Sequence, residues 1–204
     1  PDTSKHWPES VRLVIIGGEA ASLQHVKQWQ QTFPADVQLM NTYGPTEATV
    51  VASSYKLTES ASQCPIGKPL PHTKIFIVDE YHNPTPAGIP GELCIAGRGL
   101  ARGYLNRPEL TQEKFLDVEL FGRLERIYTT GDIARYLPDG NIEYLGRIDH
   151  QVKLRGFRIE LSEIEVVLNQ HELVQEAVVV LLNQDDNPRL AAYVTLTMPI
   201  ADVA

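Results

Sequence analysis

The stretch Asn41–Glu47 reads NTYGPTE and follows the apolar run Val37–Met40. The apolar run predicts a buried strand, and the Gly-Pro pair after it predicts a turn at the carboxyl end of that strand. In an open α/β sheet, ligands bind at that edge. Tyr43 offers an aromatic face for a base, Thr46 a hydroxyl for a phosphate oxygen, and Glu47 a carboxylate for a hard divalent cation. The stretch indicates either a nucleotide site or a tight turn with solvated side chains.

A second aliphatic run, Val11–Ile16, predicts a neighbouring strand that is covered on both faces. A helix is expected from about Ser22, because apolar residues follow there at helical spacing. Strand, helix and strand form a parallel βαβ unit, so the turn Gly17–Glu19 and the NTYGPTE stretch should border one crevice. The two glycines of that turn do not make a dinucleotide fingerprint, and a plain small-residue turn is the alternative.

From about Ile66 the sequence changes to short β segments with frequent turn residues. Two hairpins are predicted. Their strands are Ile75–Asp79 with Glu92–Ala96, and Ile133–Leu137 with Ile142–Leu145. The segment Thr129–Asp132 is expected to be a glycine turn, whose Asp132 either accepts hydrogen bonds from two vicinal hydroxyls or simply forms the turn.

Gly97, Gly99 and Gly103 resemble a phosphate cradle at first sight. No Lys-Ser or Lys-Thr pair follows them, so close backbone packing is the better interpretation. A helix is expected to start near Pro108, since proline favours the first helical position.

Past Gly146 the charge density rises, and a small α+β module follows. The run Ser162–Glu165 predicts a capping box at the start of a helix. Two strands, Val174–Leu182 and Leu190–Thr197, are expected after it, joined by a turn at 185–188. We place the boundary near Asp149 and expect two parts, residues 1–148 and 149–204.

Composition excludes several classes of function. The formal net charge of -8 over 204 residues argues against a nucleic-acid binder, because phosphate contacts need clustered Lys and Arg. The longest apolar run is too short to span a bilayer. Two cysteines without metal-type spacing favour a reduced, cytoplasmic setting, and the six histidines form no zinc-binding pair.

Four stretches, taken in order, resemble the adenylation domains of non-ribosomal peptide synthetases, which belong to the adenylate-forming superfamily. They are Asn41–Glu47, Gly91–Leu105, Tyr128–Asp132 and Gly146–Glu160. The resemblance implies an α/β fold: the C-terminal part of an adenylate-forming core, built from a parallel βαβ unit and a β-rich hairpin subdomain, followed by a small α+β mobile domain.

The resemblance also implies roles for individual residues. Asn41 would bind the adenine amino group, and Tyr43 with Tyr144 would sandwich the ring. Asp132 would accept both ribose hydroxyls. The other residues implied in the nucleotide site are Gly18, Thr46 at the α-phosphate, Arg147 beside the ribose, and Lys153, which would contact the nucleotide from across the boundary. Thr46, Glu47 and Lys153 would be catalytic, with Glu47 holding Mg²⁺.

By the same resemblance, Asp149 would be the hinge between the core and the mobile domain. The amino-acid pocket would be lined in part by Ile15, Gly17, Thr42, Val50 and Val51, which make a small to medium, mostly apolar half-pocket. The implied reaction joins an amino acid to ATP with Mg²⁺ and passes the acyl group to the phosphopantetheine thiol of a peptidyl carrier protein.

The family's phosphate loop is expected upstream of Pro1 and its C-terminal catalytic lysine beyond Ala204. The remainder of the adenylation domain is therefore an expected partner, and we expect the chain by itself to lack adenylation activity. One alternative is a D-alanine–carrier-protein ligase, which has a similar Asn-to-Glu turn. The basic run Gln151–Arg158 favours the synthetase over that ligase and over an acyl-CoA synthetase. Another alternative is a non-catalytic scaffold module.

Overall fold

A computed structural model of the chain describes residues 8, 10–33, 36–58, 63–149, 151–184 and 187–197. The chain divides into two compact units, Pro1–Ile148 and Asp149–Ala204. In the described residues of the first unit, two sheets account for most of the regular structure. Within the part of the chain that the structure covers, no helix is long and apolar enough to cross a membrane.

The first sheet has four strands in the order β1-β2-β3-β4. They are β1 (Leu13–Gly17), β2 (Gln38–Tyr43), β3 (Ser53–Leu57) and β4 (Lys68–Pro69), with helix α1 (Leu23–Thr32) between β1 and β2. β1 and β2 pair in parallel, so the predicted βαβ unit is confirmed. Burial of apolar side chains holds α1 on the sheet: Val26 of the helix is buried in one cluster with Leu39 and Leu57.

The second sheet is antiparallel and has five strands. They are β5 (Thr73–Val78), β6 (Gly91–Gly97), β7 (Phe115–Leu120), β8 (Arg123–Tyr136) and β9 (Ile142–Arg147), with helix α2 (Pro108–Lys114) before β7. Both predicted hairpins are confirmed, β5 with β6 and β8 with β9. The turn between β8 and β9 is fixed by Asp139, whose carboxylate accepts the Asn141 backbone N–H at 2.9 Å.

Two of the three glycines between β6 and α2 are explained by close packing, as predicted. A Cβ on Gly97 would lie 2.2 Å from the carbonyl oxygen of His72, and one on Gly103 would lie 2.3 Å from Cγ2 of Thr111. Both glycines also have positive φ, 122° and 144°, which other residues rarely adopt. A Cβ on Gly99 would meet nothing closer than 3.4 Å.

The second unit contains two small antiparallel pairs and one helix in its described residues. The elements are β10 (Val152–Leu154), β11 (Phe157–Ile159), α3 (Leu161–Asn169), β12 (Val174–Gln184) and β13 (Asn187–Leu196). α3 is joined to β12 by Glu165, whose carboxylate accepts the Val179 N–H at 2.8 Å. Asp185 and Asp186 of the predicted turn lie outside the described residues.

Two local predictions were wrong, and one strand is longer than predicted. The capping box at Ser162 is not formed: α3 starts at Leu161 after Glu160, and no side chain caps it. The strand predicted over Val37–Met40 continues through Tyr43, and the Gly-Pro pair follows it directly. Thr129–Asp132 lies inside the fourteen-residue strand β8 rather than in a turn. Pairing with β1 and β3 extends β2 beyond its apolar run, and strand pairing overrides the local turn signal at Gly131 of β8.

Candidate functional site

The carboxyl end of β2 meets β8 of the second sheet at Tyr43. The Tyr43 hydroxyl donates a hydrogen bond to Oδ2 of Asp132. Both residues are buried, with 7% and 4% of their surface exposed. Burial and the neighbouring Asp132 carboxylate raise the pKa of Tyr43 well above its ordinary value, so the phenol stays protonated and acts as the donor. Two stretches that lie far apart in the sequence thus meet in one hydrogen bond.

A third stretch joins at the other oxygen of the same carboxylate. Arg147 Nη1 lies 2.6 Å from Asp132 Oδ1, and its Nη2 donates to the Thr130 carbonyl oxygen at 3.1 Å. The register of the β8–β9 pair places Asp132 opposite Arg147. Each carboxylate oxygen has two lone-pair sites, so Asp132 can accept further hydrogen bonds from a ligand.

The predicted adenine residues lie around this network. Tyr144 lies 6.3 Å from Tyr43 between ring centroids, and the two rings are tilted by 39°. Asn41 is buried and its Nδ2 donates to the Pro65 carbonyl oxygen at 2.8 Å. Because the rings are tilted rather than parallel, a base sandwiched between both of them requires a rearrangement of at least one ring.

Glu47 lies in a single 3₁₀ turn, Thr46–Ala48, directly after β2. Only 8% of its surface is exposed, whereas Thr46 is exposed. Glu47 Oε1 accepts a hydrogen bond of 2.7 Å from the Tyr104 hydroxyl. Tyr104 was missed by sequence reasoning, which read its glycine-rich neighbourhood only as packing. One signal was present in the sequence: Tyr104 belongs to the run Arg102–Leu105, which lies in one of the four stretches that carry the resemblance.

The resemblance implies a magnesium ion at Glu47. The oxygen donors present there fit a magnesium ion that is bound together with a nucleotide. Among the described residues, no group of three or more His, Cys, Asp or Glu side chains is arranged to hold a metal alone. Mg²⁺ commonly binds one or two protein carboxylates together with substrate phosphates. The single buried carboxylate of Glu47, which directly follows the predicted nucleotide-binding stretch, matches that pattern.

Part of the predicted amino-acid pocket is brought together at the carboxyl ends of β1 and β2. Gly17 lies opposite Thr42 in the parallel register, and a Cβ on Gly17 would lie 2.5 Å from Thr42 Oγ1. Thr42 Oγ1 also donates to the Ile16 carbonyl oxygen at 2.9 Å. Ile15 lies in β1 of this sheet, and 60% of its surface is exposed to solvent. Gly18 follows β1 with φ of 87° and open space at its Cβ position.

The predicted pocket residues Val50 and Val51 lie in a strained turn. The Val51 N–H donates to the Thr49 carbonyl oxygen at 2.8 Å, which closes a three-residue turn around Val50. Val50 has φ of 71°, an unfavourable value for a β-branched residue, and 71% of its surface is exposed. Strain of this kind is concentrated at binding sites.

Asp149 and Lys153 belong to the second unit. Asp149 is exposed, and its Oδ1 accepts the Gln151 N–H at 3.1 Å. Lys153 is half-buried in β10, opposite Arg158 of β11. Among the predicted residues of the first unit, the structure brings Tyr43, Tyr144, Asp132 and Arg147 into contact. It describes Asp149 and Lys153 only within the second unit.

The chain is similar to known proteins over most of its length. Residues 2–105 match the family model of an AMP-binding enzyme. The chain is 50% identical over 187 residues to tyrocidine synthase 3 of Brevibacillus parabrevis, which covers 91% of this chain and 3% of that protein. The chain belongs to the family of AMP-binding enzymes.

Two solved structures share the fold. The first is holo-PA1221, a non-ribosomal peptide synthetase protein with adenylation and PCP domains bound to a vinylsulfonamide inhibitor; it matches with a TM-score of 0.84 and 30% identity over 91% of this chain and 33% of that one. The second is the four-domain synthetase holo-AB3403 bound to AMP and glycine, with a TM-score of 0.62 and 39% identity over 91% of this chain and 14% of that one. The predicted adenylate-forming fold class is confirmed.

Proposed function

We propose that this chain is part of an amino-acid-activating adenylation domain of a non-ribosomal peptide synthetase. Such a domain forms an aminoacyl-adenylate from ATP and an amino acid and loads it onto a phosphopantetheinyl carrier protein. The observation that carries the proposal is the network Tyr43–Asp132–Arg147, which joins three separate motifs around one buried carboxylate. The curated relative and the two solved structures support the same class, although the chain spans only 3% of tyrocidine synthase 3.

In the proposed reaction, a carboxylate oxygen of the amino acid attacks the α-phosphorus of ATP. A new O–P bond forms, the bond to the bridging oxygen breaks, and pyrophosphate leaves. In the second step the carrier thiol gives up its proton to solvent, its sulfur attacks the acyl carbon, and AMP leaves. Both steps depend mainly on positioning and on neutralising charge.

The predicted nucleotide-site residues each have a role in the proposed first step. Asp132 accepts from the ribose hydroxyls and Arg147 fixes that carboxylate, while Asn41 and the two tyrosines Tyr43 and Tyr144 bind the base. Bound Mg²⁺ supplies charge neutralisation on the phosphates. Glu47 would hold it. The remaining proposed contacts are Thr46 to the α-phosphate, Gly18 to the nucleotide, and Lys153 to the nucleotide from the second unit.

The proposed amino-acid pocket is lined in part by five residues that make a small to medium, mostly apolar half-pocket. They are Ile15, Gly17, Thr42, Val50 and Val51. The close approach of Gly17 to Thr42 supports this, because no larger side chain fits between them. We further propose a cytoplasmic setting, with the carrier protein and the rest of the adenylation domain as partners.

The function is tested by amino-acid-dependent ATP–pyrophosphate exchange in the full-length protein that contains this chain, with a panel of amino acids that includes D-alanine. We expect exchange with one or a few of them. Glu47→Gln should lower it at least about a hundredfold, equivalent to about 2.7 kcal/mol, because an amide is a poorer ligand for a hard cation. Glu80→Gln, at an exposed glutamate after β5, is the matched control.

Exchange with D-alanine alone would favour the ligase alternative. Absence of exchange with every amino acid would favour the scaffold alternative and contradict the proposal. Normal exchange in Glu47→Gln would contradict the metal role alone.

We also propose that Asp149 is the hinge, because the two units divide between Ile148 and Asp149. Asp149→Pro locks φ near about -65° and should impair one half-reaction about tenfold more than the other. Pyrophosphate exchange and single-turnover loading of the carrier protein measure the two steps. Asp149→Ala is the control, since it removes side-chain contacts, including the hydrogen bond to the Gln151 N–H, without restricting φ. Equal losses in the two steps would exclude the hinge role.

A further inference from the structure

The Tyr104 hydroxyl contacts Glu47, and the proposed reaction gives this tyrosine no role. Its oxygen lies 2.7 Å from Glu47 Oε1. The hydroxyl donates this hydrogen bond to the carboxylate.

The backbone of Tyr104 is held by helix α2. The Tyr104 N–H donates to Thr111 Oγ1 at 2.9 Å. The Thr111 hydroxyl in turn donates to the Arg107 carbonyl oxygen at 2.9 Å. The preceding Gly103 allows this approach, because a Cβ there would lie 2.3 Å from Thr111 Cγ2. The backbone of Tyr104 is thus held by Thr111 of α2.

The ring of Tyr104 is held by the second sheet. It meets Phe115 edge to face, with 5.7 Å between centroids and 69° between planes. Arg126 lies 4.7 Å above the Phe115 ring and donates two hydrogen bonds of 2.9 Å to the carbonyl oxygens of Ala101 and Arg102. Cation–π contact and backbone hydrogen bonds therefore fasten the segment before Tyr104 to β8.

The same segment also holds the backbone of Glu47. The Ala101 N–H donates to the Glu47 carbonyl oxygen at 2.8 Å. Residues 101–104 thus contact Glu47 at its main chain and at its carboxylate. Two contacts on one residue fix both its position and the orientation of its side chain.

We propose that Tyr104 is a positioning residue that orients the Glu47 carboxylate toward the metal ion of bound metal–ATP. The proposal deepens the proposed function and rests on the metal role of Glu47. A hydrogen-bond partner of a metal ligand fixes its orientation, and loss of such a partner costs about ten- to a hundredfold in metal affinity.

The test measures binding of Mn²⁺ in the presence of ATP by electron paramagnetic resonance of the free ion, using the full-length protein. Tyr104→Phe removes only the hydroxyl and should raise the Kd of Mn²⁺ about tenfold. Thr111→Val, which removes the acceptor of the Tyr104 N–H, should act in the same direction with a smaller effect. Tyr136→Phe is the matched control, because its hydroxyl donates at 2.7 Å to the Ile75 carbonyl oxygen in the same unit. Its Kd should equal that of the wild type.

Glu47→Gln separates this inference from the function on which it rests. If Glu47→Gln weakens Mn²⁺ binding and both Tyr104→Phe and Thr111→Val leave it unchanged, Tyr104 is not a positioning residue. An unchanged Kd in Glu47→Gln would overturn the metal role and this inference together. Equal weakening in Tyr104→Phe and Tyr136→Phe would show a general loss of stability and would overturn the inference alone.

Discussion

The two buried carboxylates of the candidate site are held by different kinds of structure. Asp132 lies inside β8, and its cross-strand neighbour Arg147 forms an ion pair with it. Glu47 lies in one short 3₁₀ turn, and an irregular segment contacts it through Ala101 and Tyr104. Sheet register sets the geometry of the first carboxylate, and loop packing sets that of the second.

This contrast has a consequence for the two parts of the proposed ligand. A sheet residue moves only if its strand pairing changes, so Asp132 provides a fixed point for a ribose. A loop residue is held by a few separate hydrogen bonds, so the orientation of Glu47 depends on each of them, including the one from Tyr104. Loss of one contact should therefore lower the local free energy of opening by a large amount near Asp132 and by a small amount near Glu47.

The largest effect is expected for Arg147→Met. Only 10% of the Arg147 side chain is exposed, so the substitution leaves a buried Asp132 without its cation. Breaking a buried ion pair in this way costs about 3–5 kcal/mol. Hydrogen–deuterium exchange of the β8 and β9 amides in the full-length protein should report a loss of that size in the free energy of opening. The double variant Arg147→Met/Asp132→Asn should recover part of it.

The same pair of strands offers a matched control. Arg135 lies opposite Glu143 in the β8–β9 register and pairs with it at 2.6 Å, but 39% of the Arg135 side chain is exposed. Arg135→Met should cost only about 0.5 kcal/mol, as exposed pairs do. If Arg147→Met and Arg135→Met lower the free energy of opening by the same amount, burial does not make the Asp132–Arg147 pair more stabilising than an exposed pair.

A smaller effect is expected at the loop. Thr49 Oγ1 donates to the Gly99 carbonyl oxygen at 2.6 Å and joins the turn after Glu47 to the segment before Tyr104. Thr49→Val keeps the shape of the side chain and removes this hydrogen bond, at a cost of about 1 kcal/mol. Amide exchange of residues 98–105 should become about fivefold faster, while β8 stays unchanged. Faster exchange in β8 as well would show that the two regions open together.

The parallel βαβ unit could be predicted because its signal is local. Two aliphatic runs flank a segment with helical spacing, and the connection between parallel strands then follows from chain handedness. The motif residues Asn41, Tyr43 and Glu47 were also found in the sequence, since they are adjacent in it. The continuation of β2 to Tyr43 was not predicted, because the apolar run ends at Met40 and polar residues fill the rest of the strand before the Gly-Pro pair.

The contacts of Asp132 and Tyr104 could not be predicted, because they depend on residues far away in the chain. Gly131 suggested a turn, yet it lies inside β8 with φ of 73°, where its N–H donates to Glu92 Oε1 at 2.9 Å. A glutamate on another strand thus satisfies the backbone that a turn would have left open. Tyr104 reaches Glu47 across fifty-seven positions, and no spacing rule connects them.

The assignment of Asp132 to the ribose and Glu47 to the metal is tested by ATP affinity of the full-length protein, measured with and without Mg²⁺. The two variants compared with the wild type are Asp132→Asn and Glu47→Gln. Asp132→Asn should weaken ATP binding about tenfold under both conditions, since ribose binding needs no metal. Glu47→Gln should weaken it only when Mg²⁺ is present. Equal losses in Glu47→Gln with and without Mg²⁺, or no loss in Asp132→Asn, would contradict the assignment of Asp132 to the ribose and Glu47 to the metal.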